Sequence, residues 1–341
     1  MLLLGDKVKY FFITLCVNEH DMMSRILYNI PILALVALAM MSCRGRAGGT
    51  VENTPQEIAA VEPAKMARVF IQSLPPALLP EEQKQRYYID HYWDKFDFAD
   101  TTFIAEVNFQ HMLTAYAVYV GGHLPDSLAR PAMSRLMQKA SASKPMFDYF
   151  LRLADVVLHD PNSQMRSDEK YIPVLEAAIA SSYLDEYEKL PYVHDLEMAL
   201  KNRVGEPAED FRYTVASGVE GDLYDIKAEY TLIFISNPGC PMCRDIREQI
   251  SASPKLNEMI ERKSLKILVI YPDEDLEAWH AHAKDYPESW INAYDKKQVI
   301  TKKRLYDLRA IPSLYLLDSE KKVVAKDCTN VEYIEHMVMQ E

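Results

Sequence analysis

The sequence predicts a multidomain chain, an N-terminal all-α helical bundle followed by an α/β domain. Three observations predict it. Apolar residues recur at helical spacing from about residue 66 to residue 203. Thr231–Ile235 is a short apolar run, rich in β-branched and aromatic residues, that suits a buried strand. A length of 341 residues is that of two domains.

Composition bounds the function classes. The chain is 49% hydrophobic and 26% charged, ordinary for globular protein. Its net charge of −12 argues against nucleic acid or an anionic membrane surface as the main partner. The 5 cysteines are too few for a disulfide scaffold of this size.

The N-terminus reads as an export signal. Ser24-Arg25 supplies a positive start, and Ile30–Met41 is an apolar run interrupted by one proline. That run is too short to span a bilayer comfortably, which favours a signal peptide over a transmembrane helix. It ends at Met40-Met41-Ser42-Cys43, where a small residue directly before a cysteine resembles a bacterial lipoprotein signal. The resemblance implies cleavage before Cys43 and lipid attachment to its thiol; an ordinary signal peptide or a free cysteine is the alternative. Residues 1–43 are therefore assigned to the signal. Tyr10–Val17 is a second apolar run ahead of it, and Met22 or Met23 is a more usual start, so residues 1–21 are expected to be an over-extended reading frame. Residues 44–65 lack periodicity and read as a flexible tether. A periplasm-facing, lipid-anchored position in the cell envelope is the expectation.

The helical region, 66–203, follows. Pro80-Glu81-Glu82 opens a helix with proline and acids in its first turn. Phe103–Val120 keeps apolar residues at helical spacing and is expected to end at Gly121-Gly122. Further helices are expected over Asp126–Lys139, Pro145–Leu158, Asp168–Ala180 and Leu184–Lys201, as a compact bundle. His91–Asp100 mixes aromatics with acids. A carbohydrate or metal patch is one reading; a helix end with aromatics packed inward and acids solvated is the commoner one.

The chemistry concentrates after residue 204. Asn237, Pro238 and Gly239 stop the strand, and Cys240 and Cys243 follow in Cys-x-x-Cys spacing. Pro241 suits the first turn of a helix, where its missing N–H had no partner. A thiol at a helix N-terminus faces unpaired N–H groups and the positive end of the dipole, which favour the reactive thiolate. Cys240 is assigned as the attacking thiol and Cys243, one turn on, as the resolving thiol. Half of a zinc site is the alternative, but no second Cys-x-x-Cys or close Cys/His pair exists in the sequence to complete four ligands.

Here a resemblance enters. Gly205, Pro207, Ala208 and Phe211 open the segment, a strand pair follows, and then comes strand–Cys-x-x-Cys–helix. Downstream, Leu265–Tyr271 reads as a strand, Asp273–Lys284 as a helix, Val323–Lys326 as a strand and Val331–Met339 as a helix. Together with Tyr306–Asp318, this order resembles the TlpA/ResA type of membrane-anchored thioredoxin-like thiol–disulfide oxidoreductases. The resemblance covers residues 204–341. It implies a thioredoxin-like fold, a central mixed sheet flanked by helices, with protein disulfides or dithiols as substrates and no dissociable cofactor. It also implies a cis Pro312, with Ile311 and Pro312 facing the cysteine pair and presenting backbone groups to a partner segment. Pro241 and Met242 complete the expected substrate face. The helical region, through Trp93–Phe98 and Asp160–Ser163, resembles an uncharacterised domain upstream of thioredoxin-like lipoproteins, from which no activity carries over.

The chain departs from the thioredoxin pattern in having Gly239 before Cys240 and no tryptophan beside the pair. The Pro241-Met242 dipeptide leaves the direction of electron flow and the electron donor or acceptor open. Asp245 or Glu248 could pass a proton to Cys243, and a solvated helix face explains them equally. Cys328, placed after the last strand, reads as a small, partly buried residue or a second site of mixed-disulfide formation. His280 and His282, two apart on a helix, do not share a face, so no metal is expected. Two other functions compete: a non-catalytic scaffold whose helical domain binds a protein or glycan, and a thiol peroxidase.

Overall fold

The computed structural model describes residues 69–339. The expected signal, the Cys43 expected to carry lipid and the expected tether lie outside the described residues. Compactness divides the chain at Pro125–Asp126, inside the helical region.

The first unit holds α1 (Glu81–His91), α2 (Thr102–Glu106) and α3 (Phe109–Val118). The single helix expected over Phe103–Val120 is broken in two. Val107 is extended, and the Asn108 side chain accepts from the Gln110 N–H at 2.8 Å, starting a new helix. An asparagine that caps outcompetes helical spacing because it satisfies an orphan backbone donor. Gly121-Gly122 lie within a π-helical turn, Tyr119–His123, rather than after a helix end. In the His91–Asp100 stretch Tyr92, Trp93 and Phe96 are buried. Phe70 stacks on Trp93 at 4.9 Å, and the Tyr92 hydroxyl donates to the Ala115 carbonyl at 2.8 Å. The stretch is thus a packed helix end.

In the second unit, α4 (Asp126–Ala140), α5 (Lys144–Ala154), α6 (Asp168–Ala180) and α7 (Glu186–Leu200) precede the sheet. Their starts are set by caps: Ser143 for α5, Ser167 for α6, and a capping box between Asp185 and Glu188 for α7. α6 packs against both α4 and α7. The expected Pro145–Leu158 helix widens into a π-helical turn over Asp155–His159.

The sheet runs in the order β2-β1-β5-β4-β3-β6-β7. Its strands are β1 (Arg212–Val215), β2 (Glu220–Asp222), β3 (Tyr230–Ile235), β4 (Leu265–Tyr271), β5 (Ile291–Tyr294), β6 (Ser313–Leu317) and β7 (Val323–Cys328). β3 pairs parallel with β4 and antiparallel with β6, so the sheet is mixed. The helices here are α8 (Pro241–Ala252), α9 (Pro254–Glu261), α10 (Leu276–His282), α11 (Val299–Lys302) and α12 (Val331–Met337). All six residues of β3 are buried. Leu232 and Phe234 face a core shared with α8, α9 and α12, and Ile233 and Ile235 face one with Phe211, Ile300 and Tyr306. Burial on both faces explains why β3 reads as a continuous apolar run rather than an alternating one.

The last helices close the β7 edge. The Lys326 ammonium donates to the carbonyls of Met198, Ala199 and Lys201 at 3.3, 3.0 and 2.6 Å, and pairs with Asp168 at 2.6 Å. It neutralises the C-terminus of α7, where the dipole favours a cation. Arg166 pairs with Asp327 at 3.0 Å, and Asn202 bridges the Leu305 carbonyl and the Glu209 N–H, both at 2.8 Å. The backbone of this edge strand is itself paired at Val323, whose carbonyl accepts from the Gly205 N–H at 2.8 Å and whose N–H donates to the Glu206 carbonyl at 2.9 Å.

Lys326→Met should leave Asp168 and three carbonyls without their cation. Urea denaturation should then show a loss of about 3 kcal/mol of unfolding free energy. A loss below about 0.5 kcal/mol, the range of a neutral surface change, would mean that this lysine does not hold the edge.

Candidate active site

The site is built where β3 stops and α8 starts. Pro238 and Gly239 turn the chain, with Gly239 at φ +71°, a left-handed value that costs glycine little. Nothing would crowd a Cβ at Gly239, so the demand is on backbone conformation rather than space. Cys240 is the N-cap of α8, and its sulfur accepts from the Cys243 N–H at 3.3 Å. Pro241 occupies the first helical turn. Both cysteines are free thiols. Cys240 is partly exposed, whereas Cys243 is 2% exposed in a core with Phe234, Ile246 and Ile250. Pro241 and Met242 are exposed between them, Met242 at 56%.

The Ile311–Pro312 peptide is cis. The Cys240 thiol faces the Ile311 carbonyl at 3.9 Å, so the cysteine pair and the cis-proline loop form one surface. The loop is fixed on both sides. Before it, the Asp307 carboxylate accepts from the Arg309 N–H at 3.0 Å and from Nε at 2.6 Å. Arg309 also contacts the His159 ring and donates to the His159 carbonyl at 3.2 Å. Burial, then the Arg309 charge, pushes the His159 imidazole down; Asp195, at 3.4 Å, opposes this. After the loop, the Ser313 hydroxyl donates to Asp327 at 2.5 Å. Burial pushes the Asp327 carboxyl up, and Arg166 and Ser313 oppose it.

Two hydroxyls meet near the pair. Ser236, the first residue after β3, has its Oγ 2.6 Å from the Tyr286 hydroxyl. The Arg247 guanidinium sits over the Tyr286 ring, 5.5 Å from its centroid. Burial, followed by the hydrogen bond with Cys240, pushes the Cys243 thiol up to about 11; the Asn237 backbone and Ser236 pull it down. A cleft of about 150 Å³ opens beside the pair, lined by Cys240, Cys243, Arg247, His282, Asp285 and Tyr286 among others. Sequence reasoning missed Ser236, Arg247 and Tyr286. Ser236 lies four residues before Cys240 and was open to notice; Tyr286, 43 residues beyond Cys243, carries no spacing signal.

The weaker candidates resolve differently. Asp245 and Glu248 are exposed and lie beside Arg244, at 3.7 and 4.0 Å. Cys328 ends β7 rather than following it, and packs partly buried against the α8 core. Burial, then Asp327, pushes its thiol up to about 12. His282 hydrogen-bonds Asp285 at 2.9 Å, and His280 packs edge-on to Trp279. Among the described residues, no group of three His, Cys, Asp or Glu side chains is placed to hold a metal ion. No helix among them is long and apolar enough to cross a membrane.

Two family models match the chain. A domain of unknown function, DUF5106, matches residues 46–202, and a thioredoxin-like domain matches residues 228–323. The crystal structure of a thioredoxin-like protein from Bacteroides caccae is 41% identical, with a TM-score of 0.76. The match covers 80% of this chain and 99% of that one. The C-terminal domain of an uncharacterized protein from Bacteroides fragilis is 51% identical over 40% of this chain and 96% of its own, with a TM-score of 0.39. No curated protein matches.

The depth of the thiols predicts their order of reaction. When the reduced native protein is treated with iodoacetamide at neutral pH, Cys240 should be modified first. Cys243, which is buried, and Cys328, whose thiol is pushed up to about 12, should each react at least about tenfold more slowly, as read by peptide mass spectrometry. Equal rates at Cys240 and Cys243 would overturn this order.

Proposed function

The chain belongs to the thioredoxin-like family, and from that premise we propose that it is a thiol–disulfide oxidoreductase acting on the disulfides or dithiols of partner proteins. One observation carries the reading: the sulfur of Cys240 caps α8, is partly exposed, and faces the carbonyl of a cis-proline loop, with buried Cys243 one turn behind it. At the helix N-terminus the Cys243 N–H donates to the Cys240 sulfur at 3.3 Å and so orients it. The Ile311 backbone and exposed Met242 border the surface that would receive an extended partner segment, by the logic of strand addition.

In the reductive direction the Cys240 thiolate attacks one sulfur of a partner disulfide. A mixed disulfide forms and the other partner sulfur leaves as a thiolate. Cys243 then attacks the Cys240 sulfur, and the second partner sulfur leaves as a thiolate. The dithiol becomes the Cys240–Cys243 disulfide, and two electrons pass to the partner. The reverse sequence oxidises a partner.

The same proposal places the protein at the periplasmic face of the cell envelope, tethered through lipid on Cys43. The apolar run Ile30–Met41 and the Ser42-Cys43 junction support it. Mass spectrometry of the membrane-extracted protein should find an N-terminal acylated Cys43; a mature N-terminus elsewhere would remove the lipid anchor from the proposal.

Redox equilibrium against glutathione or dithiothreitol, read by thiol-alkylation gel shifts in a Cys328→Ser background, tests the central claim. A reversible two-electron transition is expected. A potential near or below roughly −250 mV fits a reductase, and one near roughly −120 to −180 mV an oxidase or isomerase. Cys240→Ser should abolish exchange, and Cys243→Ser should accumulate mixed disulfides with partner proteins that dithiothreitol releases. A pair that never cycles would sink the enzyme reading.

A further inference from the structure

The Ile311 carbonyl that faces Cys240 belongs to an irregular link before β6, with no ladder to hold it in place. Both ends of the link are gripped from the helical region, by the two ends of one turn. On the N-terminal side Arg309 donates to the His159 carbonyl at 3.2 Å, and its Nε donates to the Asp307 carboxylate at 2.6 Å. On the C-terminal side the Ser313 hydroxyl donates to Asp327 at 2.5 Å, and Asp327 pairs with Arg166 at 3.0 Å. The turn that carries His159 and Arg166 is closed on itself. The Ser167 N–H donates to the Leu158 carbonyl at 3.1 Å, the Ser163 hydroxyl to the Val157 carbonyl at 2.5 Å, and the Asn162 N–H to the Asp160 carboxylate at 2.8 Å. A turn braced in this way keeps its ends at a fixed separation. The His159 ring anchors it further by stacking on Tyr171 of α6, 4.7 Å between centroids. Ser313 and Asp307 are buried, so neither grip can be lost without leaving a buried polar group short of a partner.

We propose that the turn from His159 to Arg166 is a clamp that fixes the Ile311 carbonyl opposite Cys240 and so favours disulfides carried on a polypeptide backbone over small ones. The inference rests on the thiol–disulfide reading above and gives the helical region a task in it. A partner segment that docks on the Ile311 backbone gains most when the carbonyl is already in place, because ordering a loose link on binding costs affinity. A small disulfide has no backbone to dock and needs only the partly exposed sulfur of Cys240. The clamp therefore separates two classes of disulfide that the cysteine pair alone does not. Arg166 and Arg309 are positioning residues: they act through the link that they hold. Arg203, whose guanidinium donates to Glu169 of α6 at 2.8 and 2.6 Å, also ties the helical region down but makes no hydrogen bond to the link.

Insulin, turned over with dithiothreitol as reductant, probes a disulfide on a polypeptide backbone, and the reaction of the reduced protein with Ellman's disulfide probes a small one. The full chain carrying Cys16→Ser, Cys43→Ser and Cys328→Ser is the reference. Arg309→Met releases the link on one side and Arg166→Met on the other; Arg166→Lys keeps a cation for Asp327. In both methionine variants the KM for insulin should rise at least about fivefold, with kcat and the rate with Ellman's disulfide within about twofold of the reference. Arg166→Lys should keep the reference KM to within about twofold, and Arg203→Met should move none of these quantities. An unchanged KM in either methionine variant, a parallel change with Ellman's disulfide, or an equal rise in Arg166→Lys or Arg203→Met would overturn the clamp while leaving thiol exchange intact. A reference protein that reacts with neither disulfide would overturn the exchange reading and the clamp together.

Discussion

The site depends on one junction, where a strand buried on both faces turns within four residues into a helix N-terminus. β3 is held by β4 on one side and β6 on the other, with apolar cores above and below. It has no freedom to shift without exposing one of them, since a register slip would exchange the two faces. Gly239 makes the turn, and Pro241 enters the helix without needing a partner for an N–H. The cap is then the reacting group itself. Where most helices use serine or asparagine to satisfy the first backbone donors, α8 uses the Cys240 sulfur. The hydrogen bond that starts the helix therefore also holds the nucleophile in place.

The second half of the site comes from a distant loop, and its placement draws on the helical region. Arg309 reaches His159 from one side of the cis peptide, and Ser313 reaches Arg166 through Asp327 on the other. His159 and Arg166 flank the turn between α5 and α6. Lys326 ties the neighbouring edge strand to the end of α7. These contacts explain why α4–α7 share a compact unit with the sheet rather than with α1–α3. They also mean that the carbonyl facing Cys240 cannot shift far without disturbing a buried carboxylate or its cation, each of which resists losing its partner.

What the sequence could show follows from how local each signal is. β4 was legible at its observed bounds, and β3 nearly so, because an apolar strand and its boundaries lie within a few residues of one another. α6 was legible too, since the acids Asp168 and Glu169 mark its start. The Phe103–Val120 expectation failed because periodicity outweighed a single capping asparagine. α9 and β5 went unnoticed, the first hidden behind the Ser253-Pro254 break and the second only four residues long. The cysteine pair and the cis proline were read as neighbours only through family resemblance, as Pro312 lies 69 positions beyond Cys243. The hydroxyl pair had no such guide. Ser236 and Tyr286 are ordinary residues made special by a contact between the end of β3 and the approach to β5.

The two thiols differ most in depth, and that difference assigns their roles more firmly than the dipeptide between them. Cys240 has a helix N-terminus on one side and an open surface on the other, so a partner sulfur can approach along a free line. Cys243, one turn on, is only 2% exposed at the edge of the cleft. It therefore cannot start an exchange, and a bulky partner disulfide cannot reach it. The same burial that protects it also holds its proton, as the rise to about 11 records.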